Sequence, residues 1–180
     1  FGLNFLLTYI TYYLTFYLTN IAGLSMALAA TVTTVTTVIK VFGMPLAGTL
    51  IDSVKFKTSK FRGWMVLGGV IYCIGGTLLF LHFDMAPGAY AVLFCIFFFI
   101  YWLGYSASWS SWRALMDPIC GANPMDKVTL TAAASQEGTL ARVIFQFIAT
   151  AILGAFTVGQ AVNPAGYTTV NAVFGVICVV

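Results

Sequence analysis

Four long stretches of this 180-residue chain, residues 1–39, 63–81, 85–112 and 143–180, contain no aspartate, glutamate, lysine or arginine. A water-soluble fold interleaves polar and apolar positions and carries about 25% charged residues; here the figures are 7% charged against 61% hydrophobic. A charge-free apolar run of about 20 residues is long enough to cross the hydrocarbon of a bilayer as a helix. The implied solvent is lipid, which excludes soluble enzymes, nucleic-acid-binding domains and disulfide-stapled secreted domains. The net charge of +3 comes mostly from connections rather than from a continuous basic groove. Cys73, Cys95, Cys120 and Cys178 show no CxxC or His-paired spacing and read as small apolar fillers. No metal, cofactor or nucleic-acid partner is expected, and with no nucleophile–base pair or phosphate-binding loop, no enzymatic activity either.

Turn signals cut the chain into predicted spans at about 1–20, 26–51, 63–82, 88–112, 136–159 and 167–180. Gly23 suits a helix C-cap and Ser25 an N-cap for the next helix. The turns at 82–88 and 163–166 are short, so helices 3 and 4, and 5 and 6, are expected as antiparallel neighbours. Two longer polar connections, 53–62 and 117–130, hold Lys55, Lys57, Lys60, Arg62 and Lys127. The positive-inside rule puts these connections and the N-terminus in the cytoplasm of a plasma or inner membrane. The expected fold class is all-α integral membrane, a single bundle over 1–180. Its sixth span is expected to be cut at Val180, about 14 residues into the roughly 20 a crossing needs, and no cleavable signal is expected at Phe1.

Gly48-Thr49-Leu50-Ile51-Asp52, followed by basic residues to Arg62, is similar to the loop 2–3 signature of the major facilitators. Tyr17-Leu18-Thr19-Asn20-Ile21-Ala22-Gly23-Leu24-Ser25, Pro45-Leu46-Ala47-Gly48 and Lys60-Phe61-Arg62-Gly63-Trp64 resemble, more narrowly, the glycoside–pentoside–hexuronide cation symporters, the melibiose permease group. The resemblance implies the N-terminal six-helix half of a sugar transporter working by alternating access. Its partners would be a small-molecule substrate, the bilayer and a C-terminal six-helix half. It also implies a cytoplasmic gating latch, with Gly48 letting helices approach and Asp52, Arg113 and Glu137 supplying charge. A plain solvated basic loop accounts for the lysines equally well.

Departures from that family matter as much. Where its sodium-coupled members carry an Arg and carboxylates on helices 1 and 2, this chain has Asn4, Thr37, Lys40 and Met44; the acidic position of helix 4 falls on Ser108, or on Trp109 after a one-residue slip, four or three residues before Trp112. The family's sodium site does not carry over. Lys40 lies about four turns into helix 2, where an ionised lysine costs about 2.5–3.5 kcal/mol unless solvated or paired. It reads as an anchor for an anionic substrate, as a tethered replacement for the lost cation with Thr33, Thr36 and Thr37 nearby, or as a snorkelling side chain.

Polar residues at helical spacing suggest the rest of the site. Asn4, Thr8, Thr11, Thr15 and Thr19 form one stripe on helix 1 with Tyr12 beside it, either a cavity lining or a helix-packing surface. Residues 105–113 set Trp109 and Trp112 among hydroxyls, as a sugar's apolar face and polar edge require, or as an interfacial aromatic belt does. On helix 5, Arg142 and Gln146 share a face with Gly138; the family's sugar-binding arginine falls instead on Ser135, and Arg142 reads either as cavity cation or as part of the latch. His82 and Asp84 read as a solvated outer turn. Substrate-binding candidates are thus Asn4, Thr8, Tyr12, Thr37, Lys40, Ser108, Trp112 and Arg142. The expected function is transport of a small glycoside- or hexuronide-like solute, with an anionic substrate favoured by the embedded cations. The alternatives are a sodium-independent uniporter or exchanger of neutral sugar and a non-transporting receptor or scaffold.

Overall fold

The computed structural model describes residues 2–54, 60–121, 124–158 and 161–179. Lys55 and Lys57 of the basic connection, and the expected cut at Val180, lie outside the described residues, as do the ends of several predicted spans. Among the described residues six α-helices follow in order: α1 (Gly2–Phe16), α2 (Met26–Ser53), α3 (Lys60–Leu79), α4 (Pro87–Cys120), α5 (Pro124–Ala155) and α6 (Pro164–Val179). Helices satisfy every backbone donor and acceptor within their own segment, which hydrocarbon demands. Four of them, α2 to α5, are long and apolar enough to cross a membrane. The α-helical part of α1 runs on through a π turn at Tyr17–Ile21, where each N–H reaches back one residue further than in an α-helix.

The local turn chemistry is as expected at the first break. Gly23 takes φ +67°, and the Ser25 hydroxyl accepts from the Leu28 N–H at 3.3 Å to cap α2. Three boundaries differ by more than three residues. The predicted connection 117–130 is mostly helical, because α4 continues to Cys120 and α5 starts at Pro124, not near Gln136. The charged residues there stand on helix ends, and a proline such as Pro124 is pre-set for a first helical turn. At the far end α5 stops at Ala155, and two-residue antiparallel strands, β1 (Thr157–Val158) and β2 (Ala161–Val162), turn the chain into α6.

Packing is closest between α3 and α4, and glycines set the spacing. A Cβ on Gly104 would come 2.5 Å from the Tyr72 backbone nitrogen and 2.8 Å from the Gly68 carbonyl oxygen; one on Gly75 would lie 2.7 Å from the Tyr101 Cα. Small residues allow such backbone approach where lipid supplies no hydrophobic drive between helices. At Gly48, expected to serve this purpose, nothing among the described residues lies within 4 Å of where its Cβ would be. Its neighbours Ala47 and Ile51 instead pack on Trp64 and Ala107.

Buried tyrosines knit α1, α3, α4 and α6 together. Tyr72 donates its hydroxyl to the Leu3 carbonyl at 2.9 Å, and Tyr101 donates to the Tyr72 hydroxyl at 3.1 Å. Tyr17 and Thr168 both donate to the Phe80 carbonyl, at 3.0 and 2.9 Å, and Tyr9 donates to the Tyr167 carbonyl at 3.3 Å. Asn171, fully buried on α6, donates to the Gly76 carbonyl at 2.9 Å. Each bond gives a polar tip a partner where none comes from the solvent.

Candidate functional site

Between α1, α4 and α5 the bundle is open, and a cavity of about 600 Å³ lies there. Its aromatic wall comes from α4. Tyr105, Trp109 and Trp112 recur at four- and three-residue spacing, so their rings share one side of the helix. Tyr105 and Trp109 stack with centroids 6.0 Å apart, and Trp109 and Trp112 follow at 5.3 Å. Arg113 lays its guanidinium over the Trp109 ring at 5.4 Å, a cation–π contact that holds the charge at the cavity edge.

The opposite wall is α5. Lys127, Thr131, Ser135, Gly138, Thr139 and Arg142 line the cavity from successive turns, and Asn4 of α1 closes the side near Gly138. A Cβ on Gly138 would come 3.1 Å from the Asn4 amide nitrogen, so α1 and α5 touch through glycine and amide. The described lining contains three cationic side chains, Arg113, Lys127 and Arg142, and no aspartate or glutamate. Arg142 makes no hydrogen bond or ion pair among the described residues. It and Arg113 both interact electrostatically with the nearly buried Tyr105 hydroxyl. Arg142 also borders a second, smaller cavity of about 160 Å³ with Leu7, Thr8, Thr11 and Tyr12.

Of the predicted binding residues, Asn4, Trp112 and Arg142 meet in the larger cavity, and Thr8 and Tyr12 join Arg142 in the smaller. Ser108 is a correction: it is buried against α3, its hydroxyl donating to the Met65 carbonyl at 2.8 Å, so it serves helix packing. The one-residue alternative, Trp109, faces the cavity. Thr37 is exposed on α2, its hydroxyl donating to the Thr33 carbonyl at 3.0 Å, and lines neither cavity.

Lys40 also stands apart from both cavities. Its ammonium lies 5.3 Å from the Trp102 ring centroid and 5.6 Å from that of Phe98, and among the described residues no carboxylate pairs with it. The same indole fixes the backbone beneath: Trp102 Nε1 donates to the Lys40 carbonyl at 3.2 Å, and its ring fills the space where Gly43 has no Cβ. Phe98 and Trp102 thus give the ammonium a seat on aromatic faces, worth up to about 2 kcal/mol or more where water is excluded. Among the latch candidates, Arg113 belongs to the cavity wall, while Gly48, Asp52 and Glu137 line neither cavity.

Thr131 and Thr139 were not among the expected binding residues, and Lys127 was expected in a connection; all three line the larger cavity. The signal was present: from Lys127 to Arg142, polar or small residues recur every three or four positions, which is a helical stripe once α5 is started at Pro124.

A search of curated proteins returns no match. The family model for MFS/sugar transport proteins matches residues 1–180. With apolar helices long enough to cross a bilayer and a match over its whole length, the chain is an integral membrane protein and belongs to the family of MFS/sugar transport proteins.

Proposed function

We propose that this protein carries a small sugar-like solute bearing an acid group across the membrane by alternating access. One observation carries the reading: a cavity of about 600 Å³ walled by two tryptophans and lined by three cations with no described carboxylate. An aromatic plane suits the apolar face of a pyranose, and guanidinium groups take carboxylates in bidentate fashion. The anchor is Arg142, with Arg113 beside it, rather than Lys40, whose ammonium is already seated on Phe98 and Trp102. Asn4, Thr37, Lys40 and Met44, standing where the sodium-coupled relatives carry charged groups, support transport without a sodium site in these helices. Membership of the glycoside–pentoside–hexuronide group, a cytoplasmic N-terminus, and a latch in which Gly48 and Asp52 meet a second six-helix half belong to the same proposal. The open surface at Gly48 leaves room for such a contact.

Paired uptake assays with a hexuronate and the corresponding neutral hexose test this. The acidic sugar should be preferred, and Arg142→Gln should abolish the preference. A wild-type preference for the neutral sugar, unchanged in Arg142→Gln, would sink it.

The seat of Lys40 favours a second reading, in which the ammonium is a tethered replacement for a coupling cation and the substrate is neutral. Transport would then be sodium-independent and become sodium-responsive in Lys40→Asp.

A further inference from the structure

The three described cations of the larger cavity are strung out along it rather than gathered at one point. Lys127 and Arg142 line it from the same helix, α5, and at 1.5 Å per residue stand about 22 Å apart. Arg113 falls between them. α4 ends at Cys120 and α5 begins at Pro124, so the two helices run back from a shared end. Counted from that end, Arg113 stands level with Thr131, one turn past Lys127. Tyr105 stands level with Thr139 by the same count, and it interacts electrostatically with both Arg113 and Arg142. The Arg113 guanidinium points away from the shared end, over the Trp109 ring, and so part-way toward Arg142. Lys127, at the other end of the row, is exposed.

An acid group occupies one place at a time. A one-ring solute held at Arg142 leaves Lys127 four helical turns away, out of reach of the same carboxylate. On its way out, that carboxylate gives up the Arg142 charge within a cleft whose low-dielectric walls carry attraction further than bulk water does. Cations set at intervals supply the next counter-charge before the last is released. Trp109 and Trp112 line the same stretch, which gives the sugar ring an apolar plane to pass along.

We propose that Arg113 and Lys127 form a release path for the acid group, from Arg142 to the membrane face at which α4 ends and α5 begins. Lys127 is its outermost station and takes no part in holding the solute at Arg142. Because a path is the same in both directions, Lys127 also steers the anion inward from that face. The assignment rests on reading the larger cavity as a sugar-acid site. Its consequence is that Lys127 governs the rate of transport and leaves affinity alone.

Glucuronate flux in membrane vesicles bearing the protein, set beside equilibrium glucuronate binding to the purified protein, tests the path. Lys127→Gln should lower kcat/KM about fivefold with binding unchanged, and Lys127→Arg, which keeps the charge, should retain the wild-type rate. Added salt should slow wild-type flux more steeply than that of Lys127→Gln, because screening acts on a charge the variant lacks. Full flux in Lys127→Gln, a loss of binding that matches its loss of flux, or an equal loss in Lys127→Arg overturns the release path alone. Absence of both glucuronate binding and glucuronate flux in the wild type overturns the sugar-acid reading beneath it.

Discussion

Along α4, the side turned to α2 and α3 and the side turned to α5 differ in what fills the space between helices. On the first, glycine meets backbone or ring: Gly104 lies against Tyr72, Gly75 against Tyr101, and Gly43 against Trp102. On the second, α5 stands off far enough to leave a cavity of about 600 Å³, and Gly138 meets only the tip of an asparagine. The embedded cations divide the same way. Lys40 sits on aromatic faces on the tight side, while Arg142 lines cavities on the loose side. Two positive charges at the same kind of cost are thus handled differently, one by burial against π-faces and one by access to whatever enters.

The contrast is broken most severely on the tight side. Gly104→Ala sets a Cβ against backbone that cannot step aside, and should cost upwards of about 3 kcal/mol, read as loss of folded protein or a large drop in detergent melting temperature. Gly43→Ala meets the Trp102 ring, a side chain with some freedom, and should cost about 1–3 kcal/mol; Trp102→Phe in the same chain should recover part of it. Lys40→Met removes an embedded charge costing about 2.5–3.5 kcal/mol against a cation–π gain of about 2. Its melting point should rise slightly, by about 1 kcal/mol in stability. A fall of that size would mean the ammonium has a partner beyond the two rings. Gly138→Ala meets the end of the Asn4 side chain at a buried position but gains about 1 kcal/mol of helix propensity, so stability should change by less than about 1 kcal/mol in either direction, while uptake kinetics alter through the cavity wall. A melting loss as large as that of Gly43→Ala would show that the α1–α5 contact is as tight as the α2–α4 one.

Much of this arrangement could be read from the chain, because some of its causes are local. Gly23 and Ser25 mark the first break through a positive φ and a cap, both of which depend on neighbours in sequence. The start of α5 was not readable the same way, since residues 124–135 set Asp126, Lys127 and three hydroxyl residues among apolar ones on a helix, and a few charges alone do not distinguish a loop from a helix end. Within the site, Asn4, Trp112 and Arg142 were legible as polar, amphipathic or charged residues on otherwise apolar helices. Ser108 was misassigned because one residue turns a helix face by about 100°, and only packing against Met65 and Gly68 fixes which of Ser108 and Trp109 faces the cavity. Lys40 was legible as an anomaly but not its seat, which depends on Phe98 and Trp102 arriving from another helix.

The π turn at Tyr17–Ile21 has a consequence for the threonine stripe of α1. Such a turn holds one residue more than an α-helical turn of the same rise, so the faces before and after it are out of phase. Thr8 and Thr11 therefore belong to one register and Thr19 to another, and the cavity-facing stripe ends before the turn. Chain length and side-chain direction are uncoupled at this one place in the first helix. Loss of a single residue there would let the turn relax to α geometry while Tyr9 and Leu14 keep their orientation, whereas the same loss at Thr8 would rotate everything on one side of it.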